Sequence, residues 1–198
     1  IEHEWFQKAL AGDSYYQDFF ILRDEPTDWL SKFGGSAWAP FGDTGKYYLH
    51  LYDVTQADLN WRNPNVRQEL FKVVNFWRDK GVKGFRFDVI NVIGKDEVLA
   101  DCPEQDGKPA YTDKPIVHDY LRMMNEATFG QDDSVMTVGE MSATTIENCI
   151  LYTAPDRQEL SMAFNFHHLK VDYEDGQKWT LKAFDFEELK RLFHTWGK

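Results

Sequence analysis

From residue 63 onward the chain alternates helix-patterned and strand-patterned segments with short connections, and this alternation limits the fold more than any other feature. Asn63-Pro64 offers an N-cap with proline at the first helical position. Val66, Leu70, Val73, Val74 and Trp77 then recur with the period of a helix buried along one stripe, and Gly81 ends it. Gly84 to Ile90 is rich in β-formers and predicts a strand. The stretch from Gly94 to Asp113 is polar, carries Pro103, Gly107 and Pro109, and is expected to be loop. A second helix is expected from Pro115 to about Gly130, with Val117, Tyr120, Leu121 and Met124 on one face. Residues 134–140 and 160–166 predict two further strands. Thr144 to Glu147 and Asp185 to Glu188 both have capping-box spacing. Phe186, Leu189, Phe193 and Trp196 would stripe a last helix. Strand and helix in this order imply parallel βαβ units, hence an α/β fold. Periodicity does not separate a (β/α)₈ barrel from an open doubly wound sheet. No G-x-G-x-x-G follows a strand, so the dinucleotide-binding form lacks support.

Residues 1–62 have a different texture. They are aromatic-rich, broken by Gly34-Gly35, Pro40 and Gly42, and hold one strand-like run, Tyr47 to Tyr52. We expect 1–62 to form a small irregular unit with short strands and 63–198 to form the α/β part. The 198 residues carry 22 Lys+Arg against 33 Asp+Glu, a formal charge of −11, which argues against binding nucleic acid phosphates. No apolar run approaches the roughly 18–20 residues of a membrane span, and no signal-peptide pattern opens the chain. Cys102 and Cys149 are too few and too distant for a disulfide framework or zinc cluster. A reducing, cytoplasmic setting is the simplest expectation. Aromatics at 16% suit stacking of sugar rings and filling of a core equally well.

The chemistry is expected at strand C-termini, where parallel α/β folds gather their functional groups. Alternation puts Arg86 and Asp88 on one face and Phe85 and Phe87 on the other. A guanidinium two residues from a carboxylate would hold it ionised, suited to a nucleophile, although a structural ion pair fits the spacing as well. The next strand ends in Glu140, sharing a face with Val138. Two adjacent parallel strands ending in acids can bring the carboxyl groups together. Retaining glycoside hydrolysis needs such a pair about 5–5.5 Å apart, one ionised and one protonated.

Gly84-Phe85-Arg86-Phe87-Asp88-Val89-Ile90-Asn91 and Thr137-Val138-Gly139-Glu140-Met141 resemble two signature regions of the α-amylase superfamily, glycoside hydrolase family 13. Gln56-Ala57-Asp58-Leu59-Asn60-Trp61 is similar to a third, where the family's inserted B domain rejoins its barrel. The resemblance implies part of a (β/α)₈ barrel with residues 1–62 as B domain. It also implies Asp88 as nucleophile, Glu140 as general acid/base, Arg86 as the orienting partner of Asp88, and no cofactor or metal. Val89 directly after the nucleophile resembles members that cleave α-1,6 or α-1,1 glucosidic bonds. Residues 160–181, with Asn165, His167, His168, Lys170 and Lys178, resemble the branch acting on a phosphorylated α-1,1-linked disaccharide. Lys170 and Lys178 could meet that phosphate, with Asn165 and His167 near the sugar; a solvated loop is the plainer reading of both lysines. Neutral α-1,6-glucans are the alternative substrate, and a non-catalytic binding or scaffold module is the alternative of another class.

The family's first signature, an Asn-His pair, and its fourth, bearing the third catalytic carboxylate, would lie before Ile1 and after Lys198. The expectation is therefore an interior piece of a longer chain, nearly inert by itself and prone to self-association through exposed strand edges. Asp101, Glu104 and Asp106 lack the spacing of a calcium loop and read as solvated.

Overall fold

The computed structural model describes residues 1–103, 106–174 and 180–197. Residues 1–62 begin with two helices that their aromatic texture did not suggest, α1 (Glu4–Leu10) and α2 (Ser14–Gln17). Each is started by a side chain accepting from the backbone: His3 caps Trp5 N–H and Asp13 caps Tyr15 N–H. Three short strands follow, β1 (Leu22–Arg23), β2 (Trp38–Pro40) and β3 (Tyr47–Leu49), in an antiparallel sheet ordered β1-β3-β2. Phe6 meets Phe20, Phe41 and Tyr48 edge-to-face at 5.1, 5.4 and 5.1 Å between ring centroids, so much of the aromatic content fills a core. Packing runs on across residue 62. Val66 joins that cluster, while Trp29, Trp38, Leu49 and Leu51 pack with Val89, Val92 and Tyr111.

The α/β part starts with α3 (Pro64–Asp79), where Asn63 accepts from Asn65 N–H at 2.9 Å. Its expected stripe is only partly covered. Val66 and Val74 are buried, but Val73 and Trp77 are 50% and 51% exposed, because α4 (Pro115–Ala127) overlies one side of the stripe. On α4 the expected face is buried in full: Val117, Tyr120, Leu121 and Met124. Strands β4 (Gly84–Phe87), β5 (Met136–Glu140) and β6 (Met162–Phe164) form a parallel sheet in that order, with Phe87 opposite Gly139 and Glu140 opposite Phe164. This α/β arrangement is consistent with part of a (β/α)₈ barrel. Helix α5 (Ile146–Thr153) is capped by Thr145, which accepts from Asn148 N–H, one position later than the Thr144–Glu147 spacing suggests. Asp185 caps α6 (Phe186–Trp196) by accepting from Glu188 N–H at 2.9 Å, as expected. The α6 stripe is not buried, however: Phe186 and Phe193 are 58% and 60% exposed.

The first parallel strand is shorter than its β-forming run. It stops at Phe87, and Val89 takes the left-handed conformation (φ 40°, ψ 46°) before a 3₁₀ turn at Ile90–Val92. A β-branched residue there is strained. The turn drops Ile90 into the core beneath the parallel sheet and Val92 into the core of residues 1–62. Burial on both sides, which local propensity does not see, holds the kink. Among the described residues, no helix is long and apolar enough to cross a membrane. The described residues between Gly94 and Asp113 are mainly irregular, with a 3₁₀ turn at Lys108–Ala110.

Candidate active site

Parallel alignment brings the C-terminal ends of β4 and β5 side by side. Phe85 and Phe87 stack on one face, ring centroids 6.3 Å apart, leaving Arg86 on the other. Arg86 Nη1 donates to Asp88 Oδ1 at 2.5 Å, the pairing that alternation implies. Its Nη2 meets Glu140 Oε2, so a single guanidinium bridges acids from two strands. Glu140 Oε2 is buried, with no hydrogen-bond partner among the described residues. The environments differ. The Asp88 side chain is 74% exposed and that of Glu140 only 12%. Gly139 allows the close approach behind Glu140: a Cβ there would lie 2.7 Å from Leu160 Cδ1 and from Met141 Cε.

The turns carrying the acids are tied beneath them. Asn91 is fully buried, and its side chain donates to Ser142 C=O and to Asp113 Oδ1 and accepts from Ser142 N–H. Asp113 in turn accepts from Asn148 Nδ2 (2.9 Å) and Tyr152 Oη (3.0 Å). Burial pushes the Tyr152 phenol up, with the Asp113 charge adding to it. Sequence reasoning included Asn91 in a motif but missed Ser142, Asp113 and Tyr152, whose partners lie far away along the chain.

Glu140 also lines a pocket of about 190 Å³, together with Val89, His167 and Lys170, and with Lys32 and Tyr52 from residues 1–62. Arg86 and Asp88 are not among its lining residues. Asn165 acts one step back: its Oδ1 accepts from His167 N–H at 3.0 Å and lies 3.0 Å from His167 Nδ1. That contact assigns the proton to Nδ1 and leaves Nε2 as an acceptor. Burial lowers the His167 pKa, with Lys170 and His168 contributing, which favours the neutral ring. Lys178 lies outside the described residues, as does Glu104. Asp101 ties its loop to residues 1–62 by accepting from Asp28 N–H, and Asp106 pairs within the loop with Lys108. Lys32 and Tyr52 carried no signal in the sequence, because neither belongs to a motif and only folding sets them against Glu140.

The family model described as alpha amylase, catalytic domain, matches residues 1–198. The chain belongs to the alpha-amylase family. Within that family it is 53% identical over 202 residues to the trehalose-6-phosphate hydrolase of Bacillus subtilis (strain 168), covering 98% of this chain and 36% of the relative. It is 43% identical over 209 residues to an oligo-1,6-glucosidase of Parageobacillus thermoglucosidasius, covering 100% of this chain and 37% of that relative. The crystal structure of Bacillus licheniformis trehalose-6-phosphate hydrolase superposes with a TM-score of 0.93 at 53% identity, over 98% of this chain and 36% of that one. This alpha-amylase-family chain thus spans little more than a third of the length of the relatives it matches.

Proposed function

We propose that the full-length protein is a retaining α-glucosidase that hydrolyses trehalose 6-phosphate to glucose and glucose 6-phosphate. The observation that carries this reading is the Arg86 bridge between Asp88 and Glu140, carboxylates on the ends of two adjacent parallel strands. Residues 63–198 are taken as the middle of a (β/α)₈ barrel and 1–62 as its inserted B domain.

Asp88, oriented by its hydrogen bond from Arg86, attacks the anomeric carbon of the glucosyl unit. The glycosidic oxygen leaves with a proton from Glu140, giving a covalent glucosyl ester on Asp88. Glu140, now a carboxylate, removes a proton from water, which attacks the same carbon and frees Asp88. Arg86 serves as the orienting partner of Asp88, and Glu140 supplies the proton that the leaving oxygen takes. The 2.5 Å hydrogen bond from Arg86 to Asp88, and the enclosure of Glu140 at 12% exposed against 74% for Asp88, support this division of roles. No metal or organic cofactor enters these steps.

His167 and Lys170 on the pocket wall support a phosphorylated substrate, with Lys170 offering charge and His167 Nε2 accepting from a sugar hydroxyl. Val89 shapes the floor beside Glu140, and Lys178 remains a proposed phosphate contact. A phosphate dianion does not cross a bilayer unaided, so we place the enzyme in the cytoplasm. An oligo-1,6-glucosidase would use the same acids, as the 43% identity to such an enzyme allows, but would gain nothing from Lys170. Comparing initial rates of the full-length protein on trehalose 6-phosphate and on isomaltose decides between them. Hydrolysis of isomaltose alone would discard the phosphorylated substrate. We further propose that the 198 residues by themselves self-associate through the outer edges of β4 and β6, which size-exclusion chromatography would reveal.

A further inference from the structure

We propose that Lys32, reaching in from residues 1–62, is a specificity-determining residue that binds the phosphate of the substrate opposite Lys170. The inference rests on the phosphorylated-substrate reading above and adds a second cation, from a different part of the chain.

Lys32 differs from seven other lysines among the described residues. Lys8, Lys72, Lys83, Lys95, Lys108, Lys114 and Lys190 each lie within salt-bridge distance of a carboxylate. Among the described residues Lys32 has no such partner, although it is half-buried and lines the 190 Å³ pocket. Among the described residues, its ammonium meets the Ser142 hydroxyl at 3.4 Å and the Tyr111 ring face, 5.1 Å to the centroid. Glu140, on the same pocket wall, is engaged by Arg86 instead. A desolvated ammonium without a counter-charge is costly unless an anion arrives to pair with it.

The surroundings specify that anion. Burial, then the like charges of Lys108 and Lys170, press the Lys32 ammonium down to about 8, and Asp106 opposes them only in part. Two cations that repel one another across a small pocket gain together when a doubly charged group enters between them. A phosphate monoester carries nearly two charges at pH 7 and three acceptor oxygens, and it can accept from Lys32 and Lys170 at once. A neutral glucan offers no such compensation. Lys32 sits directly before Phe33-Gly34-Gly35, and its backbone N–H donates to Leu51 C=O at 2.8 Å, so its stem is anchored while its head is free to meet a ligand.

The test uses the full-length protein with two substrates, trehalose 6-phosphate and the neutral p-nitrophenyl α-glucoside. Lys32→Met keeps the apolar stem against Tyr111 and removes the charge. It should raise KM for the phosphorylated sugar roughly 10–100-fold, the worth of one charged hydrogen bond, and leave both constants for the neutral glucoside within about 3-fold. Lys32→Arg should recover part of the loss. Equal losses on both substrates, or none on either, would overturn the role. Lys32→Gln repeats the test should the Met variant misfold, and misfolding of both would show the lysine to be structural, which also overturns it. A wild-type protein unable to cleave trehalose 6-phosphate would instead strike down the underlying function, a result visible before any variant is made.

Discussion

Asn91 and Ser142 exchange two hydrogen bonds, Asn91 Nδ2 donating to the Ser142 carbonyl and Ser142 N–H donating to Asn91 Oδ1, each at 2.8 Å. The pair locks the turn after β4 to the turn after β5, three residues beyond Asp88 and two beyond Glu140. The separation of the two acids is thus set by a buried amide, whose remaining donor is taken by Asp113. Asn91→Ala would leave Ser142 N–H, Ser142 C=O and one lone pair of Asp113 without their buried partner. We expect a loss of about 2–4 kcal/mol in urea unfolding. Turnover should fall more than KM rises, because the acids lose their spacing.

On the proposed mechanism, Asp88→Asn removes the nucleophile and Glu140→Gln removes the proton donor. Each should cut kcat by about 10²–10⁴-fold with the fold intact by circular dichroism. The two differ in rescue: a substrate with a good leaving group, such as a dinitrophenyl glucoside, needs no acid and should restore the first step in Glu140→Gln alone. Near-normal kcat in either variant would remove the assignment.

Lys95 and Asp58 tie the segment after β4 to residues 1–62. Lys95 Nζ donates to Asp58 Oδ1 at 2.6 Å and to Val92 C=O, while Asp58 Oδ2 accepts from Leu51 N–H; the two side chains are 6% and 14% exposed. Lys95→Ala leaves a carboxylate buried without its cation, with an expected cost of about 3–5 kcal/mol. Lys95→Met with Asp58→Asn should cost less than the sum of the single changes, a coupling that a double-mutant cycle by denaturant unfolding measures.

The depressed Lys32 ammonium gives a pH signature. Lys108, Lys170 and Asp106 set its charge balance from their loops, Tyr111 and Ser142 touch it, and Glu140, His167 and Tyr52 face it across the pocket. The protonated form binds phosphate and is lost as pH rises through about 8. The ratio of kcat/KM for trehalose 6-phosphate to that for a neutral glucoside should therefore fall above pH 8, while ionisations shared by both reactions cancel. The sign for stability is opposite. Between pH 8 and 10.5 the unfolded chain binds more protons at this lysine, so the folded state gains as pH rises.

The family, the α/β alternation and the two acids are written in local sequence. Strand periodicity aims Arg86 and Asp88 to one side, and helix periodicity marks the α4 face, because both depend only on bond geometry repeated along the chain. The same periodicity misleads where burial needs a partner from elsewhere. Val73, Trp77, Phe186 and Phe193 satisfy a stripe yet remain exposed, and Val89 and Ile90 have strand propensity yet turn away from the sheet. What folding alone decides is convergence. Arg86 finds Glu140, Asn91 finds Ser142, and Lys32 finds the pocket wall 110 positions away at Ser142, through contacts whose energy depends on distances in space and leaves no trace in the spacing of residues.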